Sequence, residues 1–116
     1  MLSIAEGRRI WLCTSATDMR RSFDGLSAQV RRQLSEDPSR GDWFVFINRR
    51  RTQLKILAYE EGGYCVWSKR LEQGQFALPR PGEAIKQGMS RTALLALLDG
   101  IDMEVKRQRK RYKRAA

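Results

Sequence analysis

Arginine is the residue type in this chain whose spacing could do chemistry. It stands in consecutive runs at Arg20-Arg21, Arg31-Arg32 and Arg49-Arg50-Arg51. With lysine it fills the C-terminus, at Lys106, Arg107, Arg109, Lys110, Arg111, Lys113 and Arg114. A guanidinium is planar, keeps its charge at any relevant pH and offers two parallel N–H donors to a phosphate. The chemistry expected of such runs is recognition of a polyanion, not the making or breaking of bonds. Charge placement sharpens this: of the net charge of +10, seven positive charges follow Val105 with no acid among them, which leaves +3 on residues 1–104. A basic run at the end of a nearly neutral domain points to nucleic acid or a membrane surface, the plain alternative being a solvated tail. The expected nucleic-acid-binding residues are Arg20, Arg21, Arg49, Arg50, Arg51 and the seven basic residues of the tail.

Bond-making chemistry finds less support. The chain has no histidine, so no imidazole of its own can serve as base or metal ligand. Paired carboxylates can hold metal ions for phosphoryl transfer, and Asp18, Asp24, Asp42, Asp99 and Asp102 are available. Each has a local structural use: Asp18 and Asp42 in turns, Asp24 in the first turn of a helix, Asp99 and Asp102 around a helix end. No phosphate-cradling GxxxxGK[ST] run is present. The sequence therefore predicts a protein that is not an enzyme, with no catalytic residue, no metal site and no cofactor. Cys13 and Cys65 lie inside apolar, strand-like segments and are expected to be free buried thiols in a reducing compartment. Trp11, Trp43 and Trp67 could stack on bases, although core packing is expected of at least two. No apolar run has membrane-spanning length and the N-terminus lacks the apolar core of a signal peptide; the expectation is a cytoplasmic protein with no membrane partner.

A length of 116 residues holds one hydrophobic core, read as a single α+β domain over residues 1–104 followed by a basic tail over 105–116. Residues 41–78 organise it as a run of antiparallel strands. Trp43-Phe44-Val45-Phe46-Ile47 is an unbroken aromatic and β-branched run suited to a buried strand. Asn48-Arg49-Arg50-Arg51-Thr52 turns the chain, placing the arginines at a hairpin tip. Leu54, Ile56 and Ala58 then alternate with Gln53, Lys55 and Leu57, and Glu61-Gly62-Gly63 makes the next hairpin. Residues 64–71 form the third strand, and a turn at Glu72-Gln73-Gly74 leads to a short strand over 75–78, stopped by Pro79.

The remaining segments must cover that sheet. Residues 1–8 form a lead-in, and Ile10-Trp11-Leu12-Cys13 reads as one more strand. Phe23, Leu26, Val30 and Leu34 form one stripe of a helix over about 22–35, with Ser22 as N-cap, Asp24 in the first turn and Arg31 and Arg32 toward solvent. Glu36-Asp37-Pro38 and Gly41 close it. Arg80-Pro81-Gly82 is a linker. Ser90 caps a second helix through Leu98, whose Leu94, Leu95, Leu97 and Leu98 are too dense for a one-faced surface helix, and Gly100 stops it. Ile101 and Met103 are expected to dock just beyond. The fold expected is an antiparallel sheet covered by one amphipathic helix, with a second short helix.

Four ordered motifs resemble a known family. Thr17-Asp18-Met19-Arg20-Arg21-Ser22-Phe23-Asp24-Gly25-Leu26, Gly41-Asp42-Trp43-Phe44-Val45-Phe46 with Asn48-Arg49-Arg50, Lys69-Arg70-Leu71-Glu72 with Gly74 and Phe76, and Leu98-Asp99-Gly100-Ile101-Asp102 are similar to the small TnpB-like accessory proteins, second-open-reading-frame products of insertion sequences of the sixty-six type. The likeness runs from Arg9 to Asp102. It implies a protein encoded on a bacterial mobile element beside a larger transposase, assisting transposition with that transposase as partner; DNA is the partner expected from the basic runs. It supplies no catalytic residues to carry over. Nothing in length or motif resembles the RNA-guided nuclease that shares the name. Ser22 stands where the family more often has Gly, which supports a cap, and Arg51-Thr52 replaces a more turn-like Gly-Asp pair, which makes the tip more basic. The function expected is a non-catalytic transposition accessory protein that binds DNA through hairpin and tail. The alternative is an adaptor that contacts the transposase without binding DNA.

Overall fold

The computed structural model describes residues 7–78 and 84–100. In chain order these form β1 (Ile10–Cys13), α1 (Phe23–Arg32), a 3₁₀ turn (Pro38–Arg40), β2 (Trp43–Ile47), β3 (Gln53–Glu60), β4 (Gly63–Arg70), β5 (Lys86–Met89) and α2 (Arg91–Asp99). The strands make a five-stranded sheet in the order β4-β3-β2-β1-β5. β2 sits at its centre with all five residues buried, the place where a continuous apolar run belongs because both faces are covered. β3 pairs antiparallel with β2 (Phe44 opposite Leu57) and with β4 (Ile56 opposite Trp67).

The sheet is mixed rather than wholly antiparallel. β1 lies parallel to β2, with Ile10 opposite Trp43, because α1 and the 3₁₀ turn carry the chain back to the starting end of the sheet before β2 begins, the crossover that parallel neighbours require. β5, unassigned from sequence, closes the other edge antiparallel to β1, Cys13 opposite Lys86. The strand expected over 75–78 is absent. Those residues lie across the end of the sheet, where the Phe76 N–H donates to the Arg51 carbonyl at 2.7 Å and the Phe76 ring is buried.

Alternation along the strands sends side chains to two cores. On one face Cys13, Phe44, Phe46 and Leu57 meet Leu26, Val30 and Leu34 of α1. On the other, Ile10, Leu12, Trp43, Val45, Ile47, Leu54, Ile56 and Ala58 meet Leu94, Leu97 and Leu98 of α2. Each helix thus covers one face, and the second helix packs on the sheet itself. Three lysines tie these layers together. Lys69 Nζ donates to the Leu98 carbonyl at 2.8 Å. Lys86 Nζ donates to the Leu34 carbonyl at 2.9 Å and pairs with the Glu36 carboxylate. Lys55 Nζ holds the loop between β1 and α1. A lysine at a helix end satisfies carbonyls that have no partner within the helix.

Several helix details differ from the sequence reading. Ser22 makes no side-chain cap; its backbone, at φ −129° and ψ −141°, turns Oγ away, and only its carbonyl serves the helix, accepting from Leu26 N–H at 2.8 Å. Phe23 is 48% exposed and Leu95 59% exposed, so neither belongs to the core. Phe23 opens α1 before the helix has reached the sheet, and Leu95 faces away from Leu94, Leu97 and Leu98. α1 ends at Arg32, and the chain leaves it through Ser35, whose φ is 54°. Gly41 closes the 3₁₀ turn rather than the helix. Ser90 does cap α2, accepting from Ala93 N–H at 3.0 Å, and Gly100, at φ 76°, ends it. Cys13 and Cys65 are free thiols, buried and half-buried. Trp43 is buried, while Trp11 and Trp67 are half-buried against the cores. The expected strand stop at Pro79, the linker at Arg80-Pro81-Gly82, the docking of Ile101 and Met103 and the whole tail lie outside the described residues.

Candidate nucleic-acid interface

The parallel pairing of β1 and β2 decides where the arginines meet. The strands run the same way, so the loop leaving β1, with Arg20 and Arg21, emerges at the same end of the sheet as the turn leaving β2, with Arg49, Arg50 and Arg51. β4 finishes there too, since Arg70 pairs opposite Gln53 at the start of β3. All of these arginines are exposed.

The tip is built to hold its shape. Asn48 accepts Arg51 N–H on its carbonyl at 3.0 Å, and its side-chain oxygen accepts from Thr52 N–H at 2.8 Å and Gln53 N–H at 3.0 Å. Asparagine at the start of a turn serves this purpose, its side chain standing in for a backbone acceptor. Arg51 takes φ 60°, the left-handed region. From below, the segment after β4 braces the tip: Leu71 N–H donates to the Thr52 carbonyl at 2.8 Å, Phe76 N–H to Arg51 as above, and the Gln75 side chain to the Arg50 carbonyl at 2.9 Å. Three backbone carbonyls of the turn are thereby fixed while its guanidinium groups stay in solvent.

The loop beside it is tied down as firmly. Thr17 N–H donates to the Ile47 carbonyl at 2.9 Å, and Lys55, reaching up from β3, donates to the carbonyls of Met19 at 2.7 Å and Arg21 at 2.8 Å. Buried Gln29 of α1 accepts from Arg21 Nη1 at 2.7 Å and donates to Thr17 Oγ1 at 3.0 Å. Arg21 and Arg49 line a common cleft of about 370 Å³ with Thr17, Asp18, Gln29 and Gln33. Arg20 stands apart chemically: Nε and Nη2 grip both Asp18 oxygens, the shortest contact being 2.7 Å. The Arg20 hydrogen bonds, side chain first and backbone second, hold the Asp18 carboxyl at about 2, below its usual 3.8. This arrangement presents forked donors from pinned backbone, a chemistry suited to phosphate. Arg20 is its most neutralised member.

The structure thus brings together Arg20, Arg21, Arg49, Arg50 and Arg51 from the sequence reading. Arg31 and Arg32 are exposed in the last turn of α1 and do not line the cleft. Lys106, Arg107, Arg109, Lys110, Arg111, Lys113 and Arg114 lie outside the described residues. Sequence reasoning missed Arg70, which sits at the strand end that the register brings to this cluster. It also missed Lys55 as the anchor of the arginine loop. The signal was available: Lys55 shares a strand face with Leu57, and a leucine on that face means the face is covered. Among the described residues no group of three Cys, Asp or Glu converges in a way that could hold a metal ion, and no helix is long and apolar enough to cross a membrane.

Fold and site together define a small α+β domain that carries an arginine cluster at one end of a mixed sheet. The chain belongs to the IS66 Orf2-like family, whose model it matches over residues 8–108. Among curated proteins it is similar to the uncharacterized protein y4hO of Sinorhizobium fredii, 38% identical over 103 residues that cover 88% of each chain. The uncharacterized protein y4jC of the same organism is 34% identical over 105 residues, covering 88% of this chain and 86% of that one. No solved structure matches it. The family membership supports an accessory role in an insertion sequence.

Proposed function

We propose that the protein binds DNA phosphates through the arginine end of its sheet and its basic tail, and so assists the transposase of its element without performing catalysis. The observation that carries this reading is the convergence of Arg21, Arg49, Arg50 and Arg51 on one sheet end, from loops pinned by Asn48, Lys55 and Gln29. Ordering a long flexible cation costs entropy when it binds. Fixing the backbone of the tip and the guanidinium of Arg21 in advance lowers that cost. Phosphate contacts position a protein on a duplex without reading bases, so broad sequence tolerance is expected unless the hairpin enters a groove, which its two-stranded width permits.

Titration of a labelled duplex at several salt concentrations tests this. Each neutralised phosphate releases condensed counterions, so log K should fall against log salt with a slope of roughly −0.9 per contact. Replacing Arg49, Arg50 and Arg51 together with Ala should flatten the slope by about two to three units. If the slope is the same in the triple variant, the tip takes no part. A protein that captures the transposase at high salt while ignoring duplex would be the adaptor instead.

A further inference from the structure

A second arginine group lies at the opposite end of the sheet, and the sequence reading did not single it out. Arg8 and Arg9 precede β1, and with Arg91, just after β5, they line a cleft of about 440 Å³ floored by Ile10, Trp11 and Gly88. The starts of β1 and β2 share this end because those strands are parallel, and β2 separates it from the tip. Counting the residues from Trp43 to Arg49 at about 3.3 Å per strand residue, the two clusters stand roughly 20 Å apart.

The side chains at this end are placed rather than trailing. Arg9 lies over the Trp11 ring with its Cζ 5.9 Å from the ring centre. The Arg8 side chain lies across Gly41, close enough that a Cβ there would sit 3.1 Å from Arg8 Nε. The nearby acid, Asp42, is engaged otherwise, accepting the backbone N–H of Arg9 at 3.0 Å and Trp11 Nε1 at 3.4 Å. Among the described residues neither Arg8 nor Arg9 forms an ion pair. Glu60 and Glu61 also lie toward this end, but at the β3–β4 turn, beyond β2 from the cleft.

We infer that the Arg8–Arg9 cleft is a second phosphate-binding site, and that one copy of the protein holds two duplex segments at once, one at each end of its sheet. The inference rests on the proposed DNA-binding reading of the tip. The two clusters stand at opposite ends of the sheet with the length of β2 between them, so each can engage a duplex segment of its own. A bridging protein needs two separated clusters, which this sheet supplies at a spacing of roughly 20 Å.

The test uses the full chain and two arms. The first measures binding to one labelled duplex. The second immobilises a duplex, loads the protein, and measures capture of a second, labelled duplex from solution. The wild-type protein is expected to do both. Arg8→Ala with Arg9→Ala should keep the first and lose the second, while Arg8→Lys with Arg9→Lys, which preserves charge, should keep both. In the single Arg9→Ala variant, which keeps one of the two cations, the salt slope of capture should flatten by about 0.9. An unchanged melting profile by circular dichroism establishes that the double Ala variant is folded. Capture that persists in the folded double Ala variant overturns the inference and assigns bridging to the tail or to self-association. Equal loss of single-duplex binding and capture also overturns it, by placing both clusters on one duplex. Single-duplex binding without capture by the wild type sinks this inference alone; no binding to a single duplex sinks the interface reading as well.

Discussion

Arg51 stands in left-handed backbone at φ 60°, where a side chain costs roughly 1–2 kcal/mol relative to glycine. The resemblance to the family places glycine at this turn, so this chain carries a cation where the geometry prefers none. Arg51→Gly should therefore leave stability unchanged or raise it by up to about 1 kcal/mol in a denaturant titration, since relief of strain is offset by the greater freedom of glycine in the unfolded chain. The same change should flatten the salt slope of duplex binding by about 0.9. Loss of stability with no change in slope would mean that Arg51 serves the fold and not the ligand. Asp18 gives a second test. Its carboxyl is held at about 2 by the Arg20 side-chain hydrogen bond, then the Arg20 backbone hydrogen bond. A folded-state value below the unfolded one means that the contribution to stability is complete above about pH 4 and is lost as pH falls through about 2. An NMR titration of the Asp18 carboxyl should give a midpoint near 2, and Arg20→Ala should move it up toward the ordinary 3.8. A midpoint near 3.8 in the intact protein would mean that the exposed pair does not persist in solution.

At the scale of elements, the stripe that the sequence marked on α1 is the one that packs, apart from its first residue. Leu26 is fully buried between α1 and the sheet while Arg32 is exposed. Leu26→Ala should cost about 2–5 kcal/mol, and Arg32→Ala should stay within about 0.5 kcal/mol; comparable losses in urea unfolding would contradict the packing. β2, β3 and β4 were legible because their apolar residues follow the two-residue period or fill it completely. β5 was not, since Lys86-Gln87-Gly88-Met89 has neither alternation nor branched residues and becomes a strand only through pairing with β1. The false strand at 75–78 arose because Phe76 and Leu78 alternate with Gln75 and Ala77. Phe76 buries its ring from irregular backbone because its amide is used by the Arg51 carbonyl. Ser22 and Ser90 read alike, yet only Ser90 has the extended backbone, at φ −80° and ψ 164°, that aims its hydroxyl at an amide. The arginines of the site were visible as a composition. Their convergence was not, because it depends on β1 and β2 running parallel, which no local pattern encodes.

For the whole molecule the question is how charge is divided between the folded part and the tail. Residues 1–104 carry a net +3, and residues 105–116 carry +7. If the tail binds phosphates it should contribute most of the sequence-independent affinity, because every basic residue that displaces condensed cations adds about 0.9 to the magnitude of the salt slope. Removing residues 106–116 should then flatten the slope by several units and weaken binding almost equally for every duplex tested, since contacts to phosphate carry no sequence information. The Arg49-Arg50-Arg51 triple replacement should have a smaller effect on the slope. It should also blunt sequence preference where the hairpin enters a groove, because side chains on an ordered turn keep a fixed position relative to base edges. Comparing the two variants on the same set of duplexes separates the two proposed roles, affinity for the tail and position for the tip. Equal slopes for intact and truncated protein would leave the tail without a DNA role. The adaptor reading would then be favoured, and the truncated chain should still bind the transposase at a salt concentration that screens exposed charges.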